Sequence, residues 1–282
     1  MSAADMLESA RTALFVPADR PERFAKAAGS GADLVLLDLE DAVAPDAKVA
    51  AREHAADWLT SHHAGVRVNA PGTTWFGDDL EAVSAGPRVV MVPKAESPEI
   101  LHEIADRLAP GSVVLALVET AAGVVRAADI AATPGVARLA FGSYDLATEL
   151  GVSPDDREAM AWSRGALVLA SAAAGLPAPL DGVTGDVTDE AALRDNMEAA
   201  ARLGFSGKLC IHPRQVAPVH DALAPAPYEV AWARRVLAAD CTGGVTVVDG
   251  KMVDTPVVER ARRLLASAGR GAGTGSTREE PT

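Results

Sequence analysis

The chain has 282 residues, a formal net charge of −13 and a sequence pI near 4.9. Such an acidic protein is poorly suited to bind nucleic acid or an anionic membrane, and no apolar run is long enough to span a bilayer. Hydrophobic residues make up 49% of the chain but aromatic residues only 4%. This composition predicts an α/β protein whose core consists of Ala, Val and Leu.

The N-terminal residues 1–8 are acidic and lack the basic and apolar regions of a signal peptide. The chain has two cysteines, Cys210 and Cys241, which form no CxxC pair and predict no disulfide framework. We therefore expect a cytoplasmic protein, in which Cys210 is a buried and unreactive thiol on a strand.

Short β-branched runs alternate with segments of helical spacing along most of the chain. The runs predict eight strands, over residues 12–17, 33–39, 65–69, 88–93, 112–118, 137–142, 178–183 and 207–211. The segments between them predict helices over residues 21–29, 46–60, 96–108, 123–132, 156–175 and 189–203. This alternation favours a (β/α)8 TIM barrel over a doubly wound open sheet, because no GxGxxG follows the first strand and no P-loop occurs.

Two further helices are predicted after the eighth strand, over residues 227–238 and 255–267. We expect residues 1–267 to form one barrel domain with a C-terminal helical extension. The polar, Gly-rich residues 268–282 cannot bury themselves, and they predict a disordered tail.

Acidic side chains stand at the ends of two predicted strands, where the active site of such a barrel lies. Glu119 closes the fifth strand and Asp145 follows the sixth, while Asp181 and His212 lie at the ends of the seventh and eighth. Two carboxylates at neighbouring strand ends predict a site for Mg²⁺, with Mn²⁺ as a possible substitute. Zinc is disfavoured because no His or Cys cluster is present. The competing interpretation of Glu119 and Asp145 is a solvated Glu and a helix-capping Asp.

A lone arginine, Arg67, lies in the apolar third strand, and an acid cluster of Asp38, Glu40 and Asp41 follows the second. Arg67 either pairs with one of these acids or holds a substrate carboxylate, and the two roles are compatible. Crowding raises carboxyl pKa values, which suits proton transfer. For Asp41 the competing interpretation is an ordinary helix cap.

Several groups near the strand ends are candidates for binding an anionic substrate. The backbone of Gly142 and Ser143 allows close approach of N–H groups to an oxyanion, and Lys94 follows the fourth strand. Three cations after the first strand predict either a phosphate site on a larger substrate or a solvated helix: Arg20, Arg23 and Lys26.

Seven motifs, in this order along residues 12–240, carry a family resemblance. They are Leu14-Phe15-Val16-Pro17-Ala18-Asp19-Arg20-Pro21-Glu22-Arg23-Phe24, Leu37-Asp38-Leu39-Glu40-Asp41-Ala42-Val43, Arg67-Val68-Asn69, Val92-Pro93-Lys94, Val118-Glu119-Thr120-Ala121-Ala122-Gly123, Phe141-Gly142-Ser143-Tyr144-Asp145-Leu146 and Gly207-Lys208-Leu209-Cys210-Ile211-His212-Pro213. Together they resemble the citrate lyase β-subunit-like branch of the HpcH/HpaI aldolase family. The resemblance implies a TIM barrel, a homotrimer or hexamer, and Mg²⁺-dependent reversible aldol cleavage of hydroxyacyl thioesters.

The resemblance also implies roles for individual residues. Glu119 and Asp145 match the metal ligands, Arg67 matches the arginine that holds the keto-acid carboxylate, and the Gly142–Ser143 backbone matches the segment that lines the keto acid. The pyruvate aldolases of the superfamily have Glu-His where this chain has Glu40-Asp41, which disfavours an aldolase with a histidine base. For the catalytic aspartate that malyl-CoA lyases place on a C-terminal lid, Asp249 and Asp254 are only positional candidates.

We therefore expect a carbon–carbon lyase that converts citramalyl-CoA, malyl-CoA or a citryl-like thioester to an α-keto acid and an acyl thioester. Three alternatives stay open. The first is a hydroxy-ketoacid or pyruvate aldolase that uses no thioester. The second is a β-subunit of a citrate lyase complex, acting on an acyl carrier protein. The third is a carboxylate-binding sensor without turnover.

Overall fold

A computed structural model of the protein describes residues 1–239 and 246–271. The chain divides into two compact units: a barrel unit, Met1–Ala222, and a C-terminal unit that begins at Leu223. The expectation that residues 1–267 form a single domain stays a prediction.

The barrel unit contains eight parallel strands that pair in chain order and close into a barrel, with the last strand beside the first. The strands are β1 Thr12–Pro17, β2 Leu34–Asp38, β3 Gly65–Arg67, β4 Val89–Val92, β5 Val113–Val118, β6 Val136–Phe141, β7 Leu180–Asp181 and β8 Gly207–Cys210. This closed barrel confirms the predicted TIM barrel, and every predicted strand is present. The seventh is much shorter than predicted, because its pairing with β6 is limited to Ala140 and Leu180.

Helices pack around the barrel, one before β1, one after β8 and the others in the intervals between strands. They are α1 Ala3–Ser9, α2 Phe24–Ala28, α3 Lys48–Trp58, α4 Phe76–Val83, α5 Pro98–Arg107, α6 Ala121–Val125, α7 Ala127–Ala131, α8 Ser143–Leu150, α9 Arg157–Ala173, α10 Glu190–Leu203 and α11 Val216–Ala222. Single 3₁₀ turns lead into α2, α3 and α11. The helix predicted over 123–132 is divided into α6 and α7, because the backbone of Arg126 leaves the helical region between them.

Alternate residues of each strand point into the barrel, where they form a dense apolar core. Leu36, Leu117 and Ala140 belong to this core. Because side chains repeat every second residue, Asp38 and Glu119 two positions further along point to the same inner side at the upper mouth. At the ends of β2 and β5, therefore, the inward-facing side chains change from apolar to charged over two residues.

Asp181 does not share this orientation, although the sequence places it among the polar strand ends. Leu180 fills the inner position, so Asp181 points outward into the helix layer, where it binds Lys208 Nζ at 3.0 Å and Arg164 Nε at 2.9 Å. Burial favours the neutral acid, but the two cations outweigh it and hold the pKa of Asp181 below its usual range. This buried cluster joins β7, β8 and α9 and is structural.

The lower end of the barrel is closed by α1 and by Arg138, which is fully buried. The guanidinium donates hydrogen bonds to the carbonyls of Leu7 and Ala10 at 2.6 and 2.7 Å, to the Ala178 carbonyl at 2.8 Å and to Ser206 Oγ at 2.8 Å. Burial lowers the pKa of Arg138 to about 10. The N-terminal helix is therefore part of the barrel core.

The C-terminal unit consists of two helices and a hairpin with their own apolar core. Its elements are α12 Pro227–Ala239, β9 Thr246–Val248, β10 Lys251–Val253 and α13 Thr255–Gly271. Asp249 occupies the hairpin turn at φ 51° and accepts a hydrogen bond from Arg235 at 2.8 Å, while Asp254 accepts one from the N–H of Val257 at the start of α13. Both aspartates thus have structural contacts of their own.

The end of α13 corrects one predicted boundary. The helix continues to Gly271, so its last residues extend into the range 268–282 that the sequence assigns to a disordered tail. The rest of that range and Cys241 lie outside the described residues. Cys210 lies on β8 as predicted, and burial raises the pKa of its thiol to about 12. No helix in residues 1–239 or 246–271 is long and apolar enough to cross a membrane.

Candidate active site

A cavity of about 370 Å³ opens at the C-terminal ends of the strands. It brings together predicted site residues from β2, β3, β5 and the segment after β6: Asp38, Asp41, Arg67, Glu119, Gly142, Ser143 and Asp145. The lining also includes apolar side chains: Phe15, Leu117, Phe141, Val183, Leu209 and Ile211. The cavity thus offers both charged groups for an acid and apolar surface for an aliphatic group.

Arg67 is held by a bidentate ion pair with Asp38. Its Nε and NH2 atoms each donate to one Asp38 oxygen at 2.7 Å, and the guanidinium lies 4.7 Å from the centre of the Phe15 ring. Burial works to lower the pKa of Arg67, but Asp38 and its neighbours outweigh this and raise it. Asp38 also accepts backbone N–H groups of Glu40 and Ala42 at 2.9 and 3.2 Å. The internal pairing considered for Arg67 is therefore present, and the arginine still lines the cavity.

Glu40 is buried beside this pair and is short of hydrogen bonds. Its Oε2 lies 2.9 Å from Arg67 NH1 but outside hydrogen-bond geometry, so this oxygen accepts no hydrogen bond from the described residues. Burial raises the pKa of Glu40 to about 8; Arg67 opposes this rise, and the nearby acids Asp41, Glu119 and Asp38 add to it. Burial therefore favours the protonated form of Glu40 in the folded protein.

The raised pKa of Glu40 predicts a pH-dependent stability. The folded protein binds this proton more tightly than the unfolded chain, so the contribution is fully present below the ordinary pKa of 4.5 and is lost as pH rises to about 8. We expect the free energy of unfolding to fall more steeply over this range in the wild-type protein than in Glu40→Gln. Urea denaturation in EDTA measures both slopes, and equal slopes would contradict the assignment.

A buried network behind Glu40 was not identified from the sequence. Lys48 Nζ donates to the carbonyls of Leu39 and Glu40 and to Asn69 Oδ1, each at 2.7 Å, and lies 5.1 Å from the centre of the Trp75 ring. These bonds fix the loop that carries Glu40 to the segment after β3. Lys48 stands on a predicted amphipathic helix, where a lysine is expected on the solvent side, so no sequence signal distinguished it.

Behind Lys48 the same network continues to α4. Asn69 donates from its backbone and side chain to Asp79 Oδ2 at 2.9 and 2.6 Å, and Arg52 Nε donates to Asp79 Oδ1 at 2.9 Å. The Arg67-Val68-Asn69 motif therefore serves two purposes. Arg67 faces the cavity, and Asn69 anchors the loops around it.

Glu119 is buried, and its carboxylate lies close to the backbone of Lys94 and of Gly142. Oε1 accepts the N–H of Lys94 at 2.9 Å, and a Cβ on Gly142 would lie only 2.6 Å from Oε2. Burial raises the pKa of Glu119 to about 7; the Lys94 N–H opposes this rise, and Asp145 contributes to it. The contribution of Asp145 to the raised pKa of Glu119 indicates that the two carboxylates lie within electrostatic reach of each other.

This close packing predicts the effect of a methyl group at position 142. In Gly142→Ala the added carbon would displace the Glu119 carboxylate, so we expect a fall in kcat/KM of about 10- to 100-fold and a loss of roughly 1–3 kcal/mol of stability. Steady-state kinetics and urea denaturation measure these effects. The matched control is Gly165→Ala in α9, where a Cβ meets nothing within 4 Å; equal effects of the two substitutions would refute the argument.

The first turn of α8 begins directly at the cavity, with Gly142 before it and Ser143 and Asp145 in it. The first N–H groups of a helix have no intrahelical acceptor, and they favour an anion. Asp145 is exposed and lines the cavity from the same turn that offers backbone donors. The Gly142 N–H already donates to the Val118 carbonyl at 2.9 Å, so the oxyanion role predicted for the Gly142–Ser143 backbone falls to Ser143 and stays a prediction.

The other basic side chains predicted to bind substrate do not line this cavity. Lys94 has an exposed side chain on a separate cavity beside Ser97 and Ile100. Arg23 and Lys26 line a further cavity of about 350 Å³ that shares Phe15, Pro17 and Ile211 with the first. Arg20 lines neither cavity and lies 3.9 Å from Asp19. His212 lines the second cavity, where its Nδ1 accepts the N–H of Arg214 at 3.1 Å.

The donors at the strand ends suit a hard cation. Over residues 1–239 and 246–271 no group of three or more His, Cys, Asp or Glu side chains could hold a metal ion by itself. Glu119 and Asp145 supply oxygen ligands only, and both line the open cavity. Two carboxylates with room for water or substrate oxygens fit Mg²⁺, which retains such ligands, better than zinc.

Comparison with known proteins agrees with this geometry. A "citrate lyase subunit beta-like protein" of Mycobacterium tuberculosis is 44% identical over 265 residues, which cover 91% of this chain and 94% of the relative. A "(3S)-malyl-CoA thioesterase" of Cereibacter sphaeroides is 38% identical over 270 residues, covering 92% and 94%.

A solved structure of the protein CitE from Mycobacterium tuberculosis, in complex with magnesium, acetoacetate and coenzyme A, has a TM-score of 0.83 and 42% identity. The match covers 93% of this chain and 99% of that one. The family model described as HpcH/HpaI aldolase/citrate lyase matches residues 11–213, which include all eight strands and the whole cavity. The chain therefore belongs to the HpcH/HpaI aldolase/citrate lyase family.

Proposed function

We propose that this protein is a Mg²⁺-dependent carbon–carbon lyase. Its substrate is a 3-hydroxyacyl thioester with a carboxyl on the hydroxyl-bearing carbon, and its products are an α-keto acid and an acyl thioester. The observation that carries the proposal is the joint placement of Glu119, Asp145 and Arg67 on one cavity. The relative crystallised with magnesium, acetoacetate and coenzyme A supports the same ligand classes.

Glu119 and Asp145 would hold Mg²⁺, and Mn²⁺ would serve as a substitute. Bound there, the ion supplies Lewis-acid polarisation of substrate oxygens. The Lys94 N–H orients one Glu119 oxygen, and the missing side chain at Gly142 lets the Glu119 side chain pack against the backbone there. The N–H groups at the start of α8 complete the anion-binding side of the site.

Arg67 binds the substrate carboxylate through N–H groups that Asp38 leaves free. Asp38 takes Nε and one N–H of NH2, and Glu40 Oε2 and Asp41 Oδ2 lie 2.9 and 3.7 Å from NH1, so the N–H groups that these acids do not face are the ones that meet the substrate. Asp38 accepts hydrogen bonds from Arg67 and two backbone amides, and its role is to hold the guanidinium in position. In its neutral form Glu40 adds no negative charge beside Arg67, so the nearby acids do not cancel the positive charge that attracts the substrate carboxylate.

Asp41 is the acid best placed to handle the proton. Its carboxylate lines the cavity, is 67% exposed and receives no hydrogen bond from the described residues. Cleavage breaks the bond between the hydroxyl-bearing carbon and the carbon next to the thioester carbonyl. The hydroxyl loses its proton, and the released thioester carbon gains one. A carboxylate at the mouth can accept the first proton and exchange it with water.

The thioester arm would extend from the first cavity into the second. Phe15, Pro17 and Ile211 border both cavities and form an apolar passage. Arg23 and Lys26 stand beyond it, where the phosphates of a coenzyme A arm would find positive charge. Arg20 would contribute only from outside the cavity.

A substrate panel tests the proposal. Purified protein is incubated with citramalyl-CoA, malyl-CoA and 4-hydroxy-2-oxoglutarate, with Mg²⁺ or with EDTA, and keto acid and free thiol are measured separately. We expect Mg²⁺-dependent keto acid from a CoA thioester without free thiol. Keto acid from 4-hydroxy-2-oxoglutarate alone would indicate an aldolase, and activity only with an acyl carrier protein would indicate a complex subunit.

Thioester hydrolysis is the second candidate function, because one relative of this chain is named a malyl-CoA thioesterase. The same panel separates the two. Hydrolysis releases free CoA thiol together with the intact hydroxy acid, whereas cleavage leaves the thioester bond in the second product. Binding of a keto acid and Mg²⁺ without any turnover would instead favour a sensor.

A further inference from the structure

Lys94 has an unusual backbone conformation for a lysine. Its φ is +49°, in the left-handed region, and the only other non-glycine residue with positive φ in the described part of the chain is Asp249. This conformation crowds the Cβ of an L-residue, so it persists only where the surrounding structure enforces it.

The conformation redirects one backbone N–H into the active site. The β4 strand pairs with β5 as far as Val92 opposite Ala116, and Ala95 resumes the pairing by donating to the Leu117 carbonyl at 3.1 Å. Between these points the chain turns at Lys94, and its N–H donates to Glu119 Oε1 at 2.9 Å. A regular strand would alternate its N–H groups between neighbouring strands and would not present this donor to a side chain on the inner face.

The lysine side chain has no comparable contact. It is exposed, forms no ion pair within the described residues, and borders the cavity near Ser97 and Ile100 rather than the one that Glu119 and Asp145 line. The strained backbone therefore serves Glu119, and the side chain does not reach it.

We propose that Lys94 is a positioning residue that acts through its main chain: its left-handed turn aims an N–H at Glu119 and holds that carboxylate ready for a divalent cation. This inference rests on the proposed function of Glu119 as a metal ligand. It replaces the substrate-binding role predicted for the lysine side chain. The backbone conformation at position 94, and not the amine, then determines how well Glu119 is placed for the cation.

Three substitutions separate backbone from side chain. Lys94→Gly and Lys94→Asn remove the amine but adopt the left-handed region readily, whereas Lys94→Ile removes the amine and disfavours that region. Mn²⁺ affinity, followed by electron paramagnetic resonance of the free ion, is the readout. We expect the Gly and Asn variants to bind within about twofold of wild type, and the Ile variant to bind roughly 10- to 100-fold more weakly. Thermal unfolding checks that all three are folded.

Two results would overturn the proposal. If Gly and Asn weaken binding as much as Ile, the lysine side chain is what matters; if Ile binds as tightly as wild type, the conformation does not matter.

If the wild-type protein binds no Mn²⁺, the metal site itself is rejected. Metal-free crystal structures of the variants then test separately whether the backbone of residue 94 positions Glu119. Glu119 should keep its bond to the backbone of residue 94 in the Gly and Asn variants and turn away in the Ile variant. An unmoved Glu119 in the Ile variant would contradict the inference independently of metal.

Discussion

Replacing Glu119 with Gln, or Asp145 with Asn, should lower kcat by about 10³-fold or more. Each substitution removes a negative ligand oxygen, and Lewis-acid stabilisation is worth several kcal/mol, where each 1.4 kcal/mol is a factor of ten in rate. The measurement is keto acid release from the best thioester of the panel at saturating Mg²⁺. A parallel titration with Mn²⁺ should show weakened ion binding.

The fold should survive both changes. Burial raises the pKa of Glu119 to about 7, so a neutral amide there relieves a desolvation cost and should leave the urea midpoint unchanged or higher. The matched control is Glu103→Gln on the exposed face of α5, which should have wild-type activity. Retention of more than a tenth of the wild-type rate in both site variants would reject Glu119 and Asp145 as the metal site.

Replacing Arg138 with Met should reduce the free energy of unfolding by about 3–5 kcal/mol. The methionine fills much of the volume but leaves the carbonyls of Leu7, Ala10 and Ala178 without their donors inside the barrel floor. Removal of the buried charge offsets only part of this loss, because orphaned buried acceptors each cost about 1–3 kcal/mol. Urea denaturation followed by far-ultraviolet circular dichroism measures the shift.

Hydrogen exchange identifies the part of the barrel that Arg138→Met destabilises most. Backbone amides of α1 should lose protection in Arg138→Met before the rest of the barrel does, because this guanidinium ties the carbonyls of Leu7 and Ala10 to the floor. Arg107→Met, on the exposed last turn of α5, is the control and should change stability by no more than about 0.5 kcal/mol. Unchanged midpoint and exchange in the Arg138 variant would refute this role.

The barrel could be predicted from the sequence because its signal is periodic and local. Runs such as Val113–Val118 are apolar, β-branched and bounded by turn residues, so their type and order were readable. Four short helices were not predicted: α1, α4, α8 and α11. Each is seven or eight residues long, and they are stabilised by tertiary contacts that a sequence window does not contain.

The site could be predicted to the level of strand ends but not of side-chain direction. Glu119 and Arg67 line the cavity as expected, because strand ends of a parallel barrel converge at one mouth. Asp181 was expected in the same set, yet it points outward. Which residues of a strand face the barrel interior depends on where its pairing begins. A shift of one residue moves every inward-facing side chain to the outside.

Lys48 escaped prediction for a different reason. A lysine on an amphipathic helix is normally solvated, and the carbonyls that bury this one, from Leu39 and Glu40, belong to a loop whose path no sequence pattern specifies. Polar networks of this kind become visible only when the backbone that supplies their acceptors is known.

The contact between Lys48 and Trp75 makes the fluorescence of Trp75 an intrinsic probe of the loop that carries Glu40. Indole emission responds to a nearby ammonium group, and Trp75 lies 5.1 Å from an amine bonded to the loop of Glu40. Of the other three tryptophans, Trp162 is exposed, Trp58 stacks on His62 and Trp232 lies 5.2 Å from the Arg260 guanidinium, so each has different surroundings from Trp75. Ligand-induced rearrangement of the loop should therefore be readable as a fluorescence change that Trp75→Phe abolishes, without any added label.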